Sequence, residues 1–73
     1  MKRSEVLKTV ADVLKSEIDE NTMKSDVPSW DSLKHIQLIM EVEEKFGVEI
    51  PIEKVPEIDS VLILLKLVEA EEG

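Results

Sequence analysis

Pro28-Ser29-Trp30-Asp31-Ser32-Leu33-Lys34-His35-Ile36-Gln37-Leu38-Ile39-Met40-Glu41-Val42-Glu43-Glu44-Lys45-Phe46-Gly47 opens on a turn and closes on a glycine. Between those ends, from Ser32 to Phe46, apolar residues recur at helical spacing. At about 100° per residue, Leu38, Ile39, Val42 and Phe46 fall on one side, which predicts the core face. Gly47 suits the position just past a helix end, where a positive φ is needed. Ser32, Leu33, Ile36, Met40 and Glu43 point elsewhere, with Gln37 and Glu44 at the margin. A surface helix needs a single apolar stripe somewhat over 100° wide. This one is apolar around more than half its circumference, so either it lies centrally in a bundle or it keeps apolar surface for partners.

Working outward, the upstream segment Glu20–Trp30 is polar, contains Pro28 and predicts a long loop. Before it, Val6, Leu7, Val10, Val13, Leu14 and Ile18 form one stripe, which predicts a helix from about Ser4 to Ile18, with Ser4 as N-cap and Asn21 as a stop. Downstream, Val48-Glu49-Ile50-Pro51 is extended, since a residue before proline avoids the helical region. Ile52 to Val55 can form one turn closed by Pro56, and a last helix runs from Asp59 or Ser60 to about Glu71. No stretch alternates with period two, so no sheet is expected. The pattern predicts an all-α fold: a small four-helix bundle of three longer helices and one short helix, with a long loop between the first two. Seventy-three residues, 1–73, make one domain.

In the last helix Val61, Leu64, Leu65 and Val68 share the face that should pack on the bundle. Leu62, Ile63 and Leu67 cannot all join them. This predicts either an apolar patch around Leu62 and Ile63, through which an otherwise monomeric chain could weakly self-associate or meet a partner, or a helix rotated or covered by the loop.

Nine basic against 17 acidic residues give a formal charge of −8 and a pI near 4.5. That balance repels nucleic acid and anionic membrane surfaces and attracts basic proteins. The absence of cysteine excludes disulfides and thiolate metal sites, so any thiol chemistry must come from a cofactor. No segment approaches the ~20 apolar residues of a membrane span, and Met1-Lys2-Arg3 leads into an amphipathic stretch rather than a signal-peptide core. The chain thus reads as cytoplasmic. Its core is aliphatic; Trp30 and Phe46 are the only aromatic residues.

Chemistry concentrates where the loop becomes the second helix. A serine there can cap orphan N–H groups, a task Asp31 or Ser29 could also perform. It can equally carry a phosphate, which a helix N-terminus stabilises through free N–H groups and its dipole. His35, the single histidine, falls toward the core side of the first turn. It reads either as a partly exposed, locally hydrogen-bonded residue or as a contact to such a phosphate. With no second histidine, cysteine or nucleophile pair, neither catalysis nor metal binding is expected there, and Asp26 and Asp31 form no EF-hand pattern.

Asp31-Ser32-Leu33, with aliphatic Ile36 and Leu38 following, resembles the attachment motif of acyl carrier proteins. The likeness continues without gaps from about residue 28 to 68, through Glu43-Glu44-Lys45-Phe46-Gly47, Glu49-Ile50-Pro51 and Ile58-Asp59-Ser60-Val61. It implies a non-catalytic carrier whose Ser32 receives 4′-phosphopantetheine from coenzyme A through a phosphopantetheinyl transferase, with Asp31 part of the motif that this enzyme recognises. It further implies that acyl or aminoacyl groups ride on the arm as thioesters to loading, elongating or transferring enzymes with basic docking surfaces. Leu33, Ile36, Gln37, Met40, Glu43 and Glu44 would form the contact face. Gln37 stands where many fatty-acid carriers have glutamate, and the Trp-Asp-Ser-Leu run with His35 looks more like specialised stand-alone carriers of secondary or polysaccharide-related pathways. Peptidyl carriers usually show Gly-Gly before the serine region, which this chain lacks. From a different class, the alternative is an unmodified acidic helical interaction module.

Overall fold

A computed structural model describes residues 2–72. The order is α1 (Arg3–Leu14), a 3-10 turn (Lys24–Asp26), α2 (Ser32–Phe46), a short 3-10 helix (Ile52–Glu57) and α3 (Val61–Glu72). Helix α1 turns Val6, Thr9, Val10 and Leu14 inward, and the buried Thr9 hydroxyl donates to Glu5 O at 2.9 Å. Helix α2 buries Leu38, Ile39 and Val42, with Phe46 half-buried at its end. Helix α3 buries Val61, Leu64, Leu65 and Val68, the face its spacing specified. Together with Ile58 these side chains form a close-packed aliphatic core, to which the loop adds Val27 and Trp30.

The first helix departs from the sequence reading at both ends. Lys2, in extended conformation, precedes it without a side-chain cap, so Ser4 is not the N-cap. It stops at Leu14 rather than Ile18 and Asn21 plays no part in the stop. Lys15 adopts the left-handed conformation (φ 53°), and its N–H and that of Ser16 both turn back to Ala11 O. Gly47 (φ 64°) and Val48 close α2 on Glu43 O in the same way. The two stops share one geometry, but only one has the glycine that advertises it. Ile18 still packs on the core, from the loop, which is why its place in the apolar stripe misled.

The long loop is stitched down rather than free. Ser29 Oγ donates to Leu14 O at 2.7 Å, satisfying a carbonyl at the end of α1. Lys24 N donates to Asp59 O and Val61 N to Thr22 O, around an isolated antiparallel bridge between Met23 and Ser60. That bridge and the 3-10 turn beside it were not visible as patterns, because neither has periodicity. The short helix is of 3-10 type and runs through Pro56 to Glu57, where a single turn closed by that proline was expected. At the surface Arg3 forks onto Glu69 (2.8 Å to each carboxylate oxygen) and reaches Glu20 at 3.1 Å, tying α1 to α3 and to the loop.

Candidate functional site

Three hydroxyl and carboxyl groups compete at the start of α2, and the structure gives each a different task. Asp31 is the N-cap: its backbone is extended and its Oδ1 accepts from Lys34 N at 2.9 Å. Ser29 is occupied with Leu14. Ser32, the first helical residue, is exposed and its hydroxyl takes part in no hydrogen bond among the described residues. Capping is therefore complete without it. A phosphodiester on Ser32 Oγ would lie at the positive end of a 15-residue helix.

Behind Ser32, Trp30 and His35 form a buried pair, with stacked rings 6.1 Å apart and Trp30 Nε1–H donating to His35 Nδ1 at 2.9 Å. Indole N–H can only donate, so Nδ1 must accept. That fixes the proton on Nε2, which donates to Val55 O at 2.8 Å. His35 thus ties the loop, the first turn of α2 and the short helix together. It is buried, not partly exposed as the first of its two expected roles required, and contact with a phosphate would cost one of its two bonds.

Beside Ser32 lies an open groove of about 390 Å³ between α2, the 3-10 turn and the short helix, with His35 against it. Ile36, Ile52, Val55 and Pro56 supply apolar walls and Lys24 supplies the basic group. An exposed, unengaged hydroxyl with an open apolar groove next to it fits a covalently attached arm.

The residues expected on the contact face differ in exposure. Leu33 (67%), Met40 (62%) and Ile36 (49%) stand out from α2 toward solvent, so they are not core residues. Gln37 and Glu44 are exposed beside them. Glu43 differs: half-buried, its Oε2 accepts from Ile50 N at 2.8 Å and so holds the segment after α2. Sequence reasoning missed Ile52, at 84% the most exposed large hydrophobic residue. Ile52, Ile36, Met40 and Pro51 line a second groove of about 380 Å³ between α2 and the short helix. The available signal was an isoleucine on an element too short to bury it. On α3, Ile63 is exposed (36%) and Leu62 half-buried, so the expected patch is present only in part.

The profile of a family described as "Phosphopantetheine attachment site" matches residues 4–68. The chain belongs to that family. It is a non-catalytic carrier whose cofactor is covalently attached 4′-phosphopantetheine. Among solved structures it is similar to the holo acyl carrier protein from Geobacter metallireducens, with 20% identity, 96% of this chain and 84% of that chain covered, and a TM-score of 0.84. It is also similar to a chain of the ishigamide ketosynthase/chain length factor structure, with 18% identity, 97% and 93% covered, and a TM-score of 0.82. Identities this low establish the fold. No curated protein matches the sequence. Among the described residues no helix is long and apolar enough to cross a membrane.

Proposed function

We propose that Ser32 is the attachment residue of this carrier. The observation that carries the reading is the division of labour at the α2 N-terminus: Asp31 caps, Ser29 anchors α1, and Ser32 alone of the three keeps its hydroxyl free and exposed. In loading, Ser32 Oγ bonds to the β-phosphorus of coenzyme A, the bond to the adenosine bisphosphate half breaks, and the hydroxyl proton passes to a base of the transferase. The arm supplies the thiol that this cysteine-free chain lacks. The chain supplies delivery, since a tether keeps its cargo at high effective concentration near a docked active site.

Leu33, Ile36 and Met40 form the docking ridge, with Gln37 and Glu44 at its edge and Ile52 extending it onto the short helix. Its partners are a phosphopantetheinyl transferase and enzymes that load, extend or transfer acyl groups, their basic surfaces drawn by the charge of −8. Fatty-acid or polyketide-like assembly is the setting that the named neighbours favour. Asp31 belongs to the recognised motif through its cap, which holds Ser32 in the first turn. His35 acts as a brace behind the site, and the protein works in the cytoplasm as a monomer.

Intact-mass analysis after incubation with coenzyme A and a broad-specificity transferase tests the reading. One phosphopantetheinyl group should appear on the wild type and none on Ser32→Ala. An unmodified wild type, under conditions that load a control carrier, would sink it.

A further inference from the structure

Among the described residues Lys24 is the one lysine or arginine that lines the groove beside Ser32. Arg3 is locked to Glu69 and Glu20, whereas the Lys24 ammonium takes part in no ion pair or hydrogen bond among the described residues, although Asp59 lines the depression on its other side. Its backbone is fixed by the bond from Lys24 N to Asp59 O at 2.8 Å, and its half-buried side chain lines the same groove as Ser32. The walls it shares are apolar: Ile36, Ile52, Val55 and Pro56. Histidine is not a rival for a negative charge here, because both ring nitrogens of His35 are engaged. The groove thus combines one unpaired cation with an aliphatic wall, next to the hydroxyl that bears a group made of a phosphodiester followed by a branched aliphatic segment.

Resting on Ser32 as the attachment residue, we propose that Lys24 pairs with the phosphodiester of the arm and that Ile36, Ile52 and Val55 pack against the aliphatic segment beyond it. This gives the arm a resting place on the carrier's own surface. Lys24 is then a positioning residue: it biases the arm between a docked and a free state and takes no part in thioester chemistry. The pair is partly exposed, so it should weaken as salt screens it, with a Debye length of about 3 Å at 1 M.

The test uses fully loaded protein, its state verified by intact mass. Phosphorus NMR should show a shift of the phosphodiester resonance between wild type and Lys24→Gln. Lys24→Arg should restore the wild-type position, and about 1 M salt should abolish the difference. The control is Lys34→Gln, whose side chain lines the groove on the α1 side with Asp12 and Glu41, and it should leave the resonance in place. In wild type, loading should move the side-chain carbon resonance of Lys24 and the methyl resonances of Ile36, Ile52 and Val55. That second measurement needs no variant. Unchanged Lys24 and methyl signals on loading, or equal effects of Lys24→Gln and Lys34→Gln, would overturn the proposal. Failure of the wild type to load at all would instead count against Ser32 itself.

Discussion

At the scale of single residues, two left-handed positions close α1 and α2, and they invite opposite substitutions. Lys15 holds φ 53° with a Cβ that this region disfavours, whereas Gly47 holds φ 64° without one. Lys15→Gly should therefore raise stability by about 0.5–1 kcal/mol, the relief of strain outweighing the added freedom of the unfolded chain. Gly47→Ala should lower it by about 1 kcal/mol, and through backbone strain alone, since an added Cβ would meet nothing within 4 Å. Urea denaturation of both variants checks the pair; destabilisation by Lys15→Gly would show that its side chain contributes something the geometry does not reveal. The Trp30–His35 pair is the other decisive contact at this scale. Trp30→Phe removes the donor to Nδ1. If the proton stays on Nε2, Nδ1 is left buried and unpaired; if it moves, Val55 O loses its donor. Either outcome costs about 1–3 kcal/mol, read from the shift in denaturation midpoint followed by circular dichroism.

At the scale of elements, α2 serves both the core and the surface, and its acidic residues divide between them. Glu43 accepts from Ile50 N, so Glu43→Ala should cost about 1 kcal/mol in thermal or urea unfolding, while Glu44→Ala, fully outside such a bond, should stay within about 0.5 kcal/mol. Equal losses would contradict the separate roles. Met40→Glu and Ile52→Glu should leave helicity intact and raise the transferase KM, because both side chains face solvent in the free protein; unfolding by either would place it in the core. The element pattern was largely legible. The extent of α2, its core stripe through Leu38, Ile39 and Val42, and the inner face of α3 all follow from 3.6-residue periodicity. What escaped had no periodic signature. The α1 stop rests on a left-handed lysine, the loop is held by backbone pairing of Lys24 with Asp59, and Ile52 sits on a turn that buries nothing. At the site, Asp31 and Ser32 were legible as a helix start. Which residue caps and which stays free was not, because Ser29, Asp31 and Ser32 are all competent caps until tertiary contacts assign them.

At the scale of the whole molecule, Arg3 joins both ends of the chain's structure through Glu69 and Glu20. The bidentate hydrogen bond from Arg3, with its charge and that of Lys66, holds the Glu69 carboxyl below its ordinary value of 4.5. A depressed folded-state value means that this contribution is fully present above the ordinary value and is lost as pH falls through the lowered one. Thermal midpoints should accordingly drop on acidification below about pH 4.5 and drop less steeply in Arg3→Gln, with the difference between the two proteins shrinking at high salt. A pH dependence identical in both would remove the clamp from the account. Core packing, the Ser29 anchor and the Asp31 cap converge on one arrangement, a small bundle with the unengaged Ser32 hydroxyl at a helix start. The most direct test is site-resolved fragmentation mass spectrometry of the loaded chain, with Ser29→Ala and Ser32→Ala beside the wild type. The whole phosphopantetheinyl mass should lie on Ser32 in the wild type and in Ser29→Ala, and be absent from Ser32→Ala; modification of Ser29, or of any residue in Ser32→Ala, would contradict the assignment.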